Sequence, residues 1–320
     1  MKSKNYTAHL CMLVACIAWG LMSPVGKDIM STHVTALSLA TFRMTGAAAC
    51  FWIASLFTKR ETVKPHDMLQ LFYAALFAIV FNQGMFIFGL SLTSPVNSSI
   101  ITTLAPIITM VLAAIFLHEP ITGKKVGGVF LGAIGALILI LGSTAHGSFH
   151  HSVWGDVLCF IAQVSFACYL TFCKAVTDRY HPITCMKWMF TYASICFIPF
   201  SYREVSQLPF AEISLRTWGE IGFVVVGATF FSFLLLMFAQ KKLRPTVLSM
   251  YNYVQPIVAT VVSVIVGMSV FGWVKGLAVV LVFAGVYLVT QSKSRAQMLQ
   301  EEKVKNAESV GPSSQENSES

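Results

Sequence analysis

Charge is what this sequence has least of. Only 11% of its 320 residues are Asp, Glu, Lys or Arg, against about 25% in an ordinary soluble domain. A water-soluble globular fold is thereby excluded. Acidic groups are especially thin: none lies near the middle of any long apolar stretch, so a buried carboxylate that could carry protons across a membrane is missing. The eight cysteines sit mostly inside apolar stretches, with no Cys-x-x-Cys pair and no Cys/His cluster at ligand spacing. They read as buried thiols packing like small apolar groups, and neither a metal nor a cofactor is expected. The eight histidines all fall near stretch ends or in connections, none paired with an acid in metalloprotease spacing. No catalytic residue is expected, and an integral membrane enzyme is the weakest functional class. A cleaved leader is also disfavoured. "LVAC" (Leu13 to Cys16) resembles a lipoprotein processing site, but its apolar run continues through Val25.

What is present is apolar length. Hydrophobic residues make up 56% of the chain, mean hydropathy is +0.70, and runs of about 20 residues recur, each enough to cross a hydrocarbon core of about 30 Å. Ten are predicted, over 8–29, 36–57, 68–90, 97–118, 126–143, 154–174, 184–202, 217–239, 245–267 and 272–291. The expected fold class is all-α integral membrane, surrounded by lipid bilayer.

The net charge of +8 is a topology signal, and no nucleic-acid partner is expected. With the N-terminus inside, seventeen of the 22 basic residues fall in inner segments and four (Lys27, Arg203, Arg216 and Lys275) in outer ones, leaving Arg43 within a span. That asymmetry follows the positive-inside rule and predicts a multi-pass protein of the cell (inner or plasma) membrane with both termini cytoplasmic. Residues 292–320, rich in Ser, Glu, Gln and Asn, read as a disordered cytoplasmic tail.

The chain repeats itself. Shifted by 150 residues, "SPVNSSIITTLAPIITMVLAAI" falls without a gap on "RPTVLSMYNYVQPIVATVVSVI", matching Pro95 to Pro245, Ser99 to Ser249 and Pro106 to Pro256. A shift of 147 brings Trp19 onto Phe166 and Lys27 onto Lys174. Coincident prolines and lysines point to duplication, with repeats over 1–145 and 152–291. Five spans per repeat would invert one half relative to the other. Inverted repeats place a substrate site near the midplane at their interface and permit alternating access.

Pro106 and Pro256 fall at the centres of spans four and nine. Each removes a backbone donor and frees the carbonyl four residues earlier, of Thr102 and Asn252. Unsatisfied backbone at that depth is tolerated only against protein or a water-filled cavity. Polar groups precede both prolines: Thr102 and Thr103 in one, and Tyr251, Asn252 and Gln255 on one helical face in the other. At similar depth lie Trp19 and Ser23 in span one, Asn82 with Phe86 on the same face in span three, Gln163 and Phe166 in span six, and Ser232 in span eight. These are the predicted substrate-binding residues, for a small polar organic molecule. The bland alternative is interhelical glue, since such groups bond across membrane helices. Arg43, in "ATFRMTG", either meets a substrate carboxylate or phosphate or snorkels outward in a structural role. Gly128, Gly132 and Gly135 in span five, with Gly272, Gly276 and Gly285 in span ten, predict close packing as scaffold or as a homodimer contact.

The stretches "AWGLMSPVGK", "FRMTGAAA", "LAPIITMVLAAIFLHEPITGKKVGGVFLGAIGALILI" and "VQPIVATVVSVIVGMSVFGWVKGLAVVLVFAGVYLV" resemble the drug/metabolite transporter superfamily, EamA type. The resemblance covers about residues 8–291. It implies ten helices in two inverted five-helix repeats around a central cavity, and efflux of metabolites, amino acids or drugs. The family often has Glu near the end of both fourth helices. Glu119 in "LHEP" fits, whereas its counterpart here is Ser269. The expectation is a secondary transporter of small polar metabolites, with a non-transporting receptor or assembly protein as the alternative.

Overall fold

The computed structural model describes residues 3–93, 95–141, 153–265, 272–293 and 298–300. Every regular element among them is helical, because in hydrocarbon a helix satisfies its own backbone donors and acceptors. In chain order they are α1 (Ser3–Met30), α2 (Ala36–Leu56), α3 (Pro65–Leu92), α4 (Pro95–Thr102 and Ala105–Phe116), α5 (Gly123–Leu141), α6 (Val153–Phe172), α7 (Pro182–Ser206), α8 (Leu215–Gln240), α9 (Pro245–Met250 and Val254–Ile265) and α10 (Trp273–Thr290). Nine of these among the described residues are long and apolar enough to span a membrane. The exception is α9, divided by a 3₁₀ turn at Tyr251–Tyr253. The expected tail falls almost wholly outside the described residues.

Local chemistry sets the starts. Pro65, Pro182 and Pro245 open α3, α7 and α9, where a missing N–H costs nothing and φ is already helical. Thr35 and Ser214 cap α2 and α8 through side-chain oxygens that accept from the Ser38 and Thr217 backbone N–H groups.

Two irregularities recur at the repeat spacing. α3 carries a π-helical segment at Leu76–Gly84 and α8 one at Phe223–Phe231, 147 residues apart at both ends. In the second, Thr229 Oγ1 donates to the Val224 carbonyl at 2.7 Å and Ser232 Oγ to that of Gly227 at 2.9 Å. Both bonds reach back five residues, as the wider turn requires.

Packing follows the same pseudo-symmetry. α1 lies against α8 and α9, and its counterpart α6 lies against α3 and α4. α2 packs on its own counterpart α7, and α5 on α10. The last contact is the closest: a Cβ added at Gly128 would stand 2.7 Å from the Gly285 carbonyl, and one at Gly285 2.6 Å from that of Gly128. Gly135 is equally tight against the Ala278 carbonyl, and Gly132 lies under the Tyr253 ring. Gly128, Gly135 and Gly285 are thus covered within one chain.

The ends are tied differently. At the basic end, Asp67 accepts from Arg179 Nη1 at 2.8 Å and from the Tyr180 hydroxyl at 2.7 Å. The bond to Asp67 raises the Tyr180 phenol above its ordinary pKa. Lys241 and Lys174 donate to the carbonyls of Tyr180 and Gln240. Beside them, Lys125 Nζ, fully buried, meets Glu119 Oε2 at 2.8 Å, and Thr246 at the start of α9 donates to the same oxygen at 3.2 Å. Arg244 donates to the Ser292 carbonyl at 2.8 Å, joining α9 to the end of α10. At the opposite end the joining ion pair, Arg216 to Asp28 at 2.8 Å, is largely exposed.

Candidate functional site

α1, α3, α4, α6 and α9 enclose a central cavity lined by Trp19, Met22, Asn82, Gln83, Phe86, Thr102, Gln163, Phe166, Asn252 and Gln255. Its space is about 50 Å³, and an adjoining space of about 30 Å³ is bounded by Gly20, Ser99, Thr103 and Pro256 as well. Together these hold a few waters, far below the several hundred Å³ of a ligand-filled pocket.

Both repeats contribute matching walls. Trp19 and Phe166, equivalent positions, meet edge to face with centroids 6.3 Å apart. Thr102 and Asn252, also equivalent, stand where the fourth helix of each half is interrupted. α4 breaks at 103–104 and α9 at Tyr251–Tyr253, each just ahead of its proline. The breaks follow from the missing N–H of Pro106 and Pro256, which the previous turn cannot replace.

The lining mixes amides with aromatic and apolar side chains and carries no formal charge. Asn82 Nδ2 donates to the Ala162 carbonyl at 2.8 Å, Gln83 Nε2 to Asn82 Oδ1 at 2.7 Å, and Gln255 Nε2 to Asn252 Oδ1 at 3.3 Å. Each carboxamide is thus oriented by a neighbour and keeps spare donor or acceptor capacity for a solute. Trp19 Nε1 donates to the Ala228 carbonyl at 2.9 Å, and its ring is held edge-on by Phe233 at 5.7 Å.

Trp19, Asn82, Thr102, Gln163, Phe166, Asn252 and Gln255 are brought together here, and Thr103 reaches the adjoining space. The side chain of Ser23 lies outside the described residues. Tyr251, Ser232 and Arg43 do not line the cavity. The 3₁₀ turn breaks the α-helical face that would align Tyr251 with Gln255, and the Tyr251 hydroxyl instead pairs with His9 Nδ1 at 2.8 Å. Ser232 spends its hydroxyl on the π turn. Arg43 is fully buried and does not snorkel; its Nε donates to Thr229 Oγ1 at 3.0 Å.

Phe86, on the Asn82 face of span three, joins the predicted residues in the lining, and Met22 and Gln83 also line the cavity without being predicted. Gln83 follows Asn82 directly, and ordinary helical periodicity would turn the two 100° apart. Both nonetheless line the cavity, and both lie in the π segment. The only signal for it is the asparagine itself.

Exposure changes along the wall. Residues 245–254 of α9 are all buried, while Gln255, Ile257, Val258 and Ala259 are half-buried. In α4 burial alternates instead: Ser98, Thr102 and Thr103 are buried beside half-buried Ser99, Ile100 and Ile101, and exposed Leu104 and Val111 flank buried Pro106, Thr109 and Met110.

The EamA-like transporter family model matches this chain twice, over residues 6–141 and 153–291. An uncharacterized transporter of Archaeoglobus fulgidus is 26% identical over 279 residues, covering 86% of this chain and 95% of that protein. The uncharacterized transporter YyaM of Bacillus subtilis is 25% identical over 303 residues, covering 92% and 99%. One crystal structure superposes with a TM-score of 0.70 at 16% identity, over 89% of this chain and 97% of the other, and shares the fold.

Proposed function

The chain belongs to the EamA-like transporter family, and from that premise we propose that it is a secondary transporter moving a small polar organic molecule through the central cavity by alternating access. The observation carrying this reading is the cavity's composition. Equivalent residues of the two repeats, Trp19 with Phe166 and Thr102 with Asn252, face one enclosed space together with Asn82, Gln83, Gln163 and Gln255. Helix glue would need those amides to be consumed between helices, yet Gln163 and Gln255 are turned to the cavity.

In this reading the cavity turns alternately to the two ends of the bundle. The basic end is held by Asp67, Arg179, Tyr180 and Lys241 on one side and by Glu119, Lys125 and Thr246 on the other. The bonds from Arg179 and Tyr180 to Asp67 and from Thr246 to Glu119 span the two repeats, and these part when the cavity turns to that end. The breaks in α4 and α9 supply hinges beside the site.

Purified full-length protein in liposomes loaded with a metabolite mixture tests the proposal. Selective loss of particular solutes, reduced by Asn252→Ala with Gln255→Ala, is expected. Solute retention identical to that of protein-free liposomes would leave a receptor or assembly role as the better reading.

A further inference from the structure

Lys187 stands on an aromatic shelf at the basic end of the seam between α2 and α7. Its Nζ lies 4.5 Å from the centre of the Trp52 ring and 5.7 Å from that of Trp188, and the two indoles meet edge to face at 5.6 Å. The shelf is tied in place. Trp52 Nε1 donates to Thr191 Oγ1 at 2.9 Å, and that hydroxyl donates to the Lys187 carbonyl at 2.7 Å. Trp52 comes from the first repeat and Lys187, Trp188 and Thr191 from the second, so the shelf is complete only where the two pack together.

The rings cover one side of the ammonium, and its three N–H donors have no acceptor among the described residues. The acids at this end are already engaged. Glu61 accepts from the His181 N–H, Asp67 from Arg179 and Tyr180, Asp178 pairs with Lys174 and Glu119 with Lys125. Beside the shelf, Ile53, Leu56 and Phe57 are exposed on and just beyond a helix that is apolar enough to span the membrane. Lys59 and Arg60 follow directly, both exposed. An apolar strip that ends in cations without acids complements an amphiphile with hydrocarbon chains and a negative head.

The repeat supplies a comparison. α2 and α7 are counterparts, so equivalent positions build the other end of their seam. There Thr41, Phe42, Thr45, Ile198, Ser201 and Tyr202 line an open groove of about 330 Å³ with no cation in its walls. The spacing of 147 that relates the neighbouring helices sets Lys187 against Ala40 and Trp188 against Thr41. The seam therefore packs without a lysine between indoles, and packing alone does not account for one at the basic end.

We propose that this shelf is a binding site for an acidic phospholipid, its phosphate on the Lys187 ammonium and its chains along Ile53, Leu56 and the Trp188 ring. Indoles suit this depth, with an apolar body toward the chains and a polar edge toward the headgroups. A zwitterionic lipid brings the same phosphate together with a cation, which Lys59 and Arg60 repel; a headgroup of net negative charge is attracted by all three.

The test is native mass spectrometry of the purified full-length protein with phosphatidylglycerol, phosphatidylcholine of the same chains, and glycerol phosphate, which has the anion without the chains. Phosphatidylglycerol is expected to stay bound at collision energies that strip phosphatidylcholine, and glycerol phosphate not to displace it. Lys187→Gln is expected to abolish this selectivity. Lys187→Arg is expected to keep it, because a guanidinium also stacks on indoles. Lys242→Gln, at another exposed cation of the same end, is expected to leave it intact. Equal retention of the two lipids, displacement by glycerol phosphate, undiminished selectivity in Lys187→Gln, or the same loss in Lys242→Gln would each overturn the proposal. If Lys187→Gln does not fold, tryptophan fluorescence of the native protein in vesicles decides. Brominated chains on phosphatidylglycerol are expected to quench it more than the same chains on phosphatidylcholine, and equal quenching overturns the proposal.

Discussion

Single side chains at the basic end show how an ion pair at depth behaves. Lys125 is fully buried, and its charge is met by Glu119 Oε2 at 2.8 Å. His118, immediately before, takes a left-handed backbone at φ 51°, which ends α4 and turns Glu119 back toward the bundle. Removing one member of such a pair strands the other, typically at a cost of about 3–5 kcal/mol. Glu119→Gln is therefore expected to lower the unfolding temperature markedly. The double variant Glu119→Gln with Lys125→Met, which leaves no ion behind, is expected to recover most of the loss. Equal stability of the native protein and the Glu119→Gln variant would mean that Lys125 finds another acceptor, such as solvent at that end.

Helices and their contacts are where the sequence was most informative and also where it failed. The apolar runs marked the spans, and the residues before Pro106 and Pro256 marked the two breaks, because length, hydropathy and a missing N–H act locally. Ends differed by a few residues, as at α5, which begins at Gly123 where 126 was expected; polar residues such as Lys124 do not count toward an apolar run. The π segments were not legible. They replace one set of backbone bonds by another with no compositional mark, and they relocate side chains. Thr229 and Ser232 turn their hydroxyls to carbonyls five residues back, and Thr229 then accepts from Arg43. The glycines of α5 and α10 were legible as a close contact but not as an internal one, since a small face does not name its partner. That contact gives a sharp contrast. Gly285→Ala would bring Cβ to 2.6 Å from the Gly128 carbonyl, with backbone that cannot yield, whereas Gly127 has nothing within 4 Å. Overpacking of the first kind costs about 1–3 kcal/mol, while alanine at an open helical position gains up to about 1 kcal/mol. Thermal unfolding is expected to fall for Gly285→Ala and to hold or rise for Gly127→Ala; equal behaviour would mean that α5 and α10 are not packed through this face.

For the molecule as a whole, the multi-pass membrane character follows from the family and its apolar helices, and the orientation rests on basic residues. A reporter fused after Ser320 is expected in the cytoplasm, and one placed in "HGSFHH", outside the described residues, on the other side. Finding both on one side would contradict an odd number of spans in the first half and with it the inverted arrangement.

The central claim, that solute passes through the space between the two repeats, is tested most directly by blocking that space. In a protein whose eight cysteines have been replaced, Thr102→Cys and Asn252→Cys each place a thiol on the cavity wall, and Val282→Cys places one in the fully buried α10 core. With a solute identified by the liposome assay, a small water-soluble thiol reagent is expected to modify the first two, to stop transport by both, and to be slowed by the solute. Val282→Cys is expected to stay unmodified and active. Full transport after complete modification of Thr102→Cys and Asn252→Cys would contradict the account.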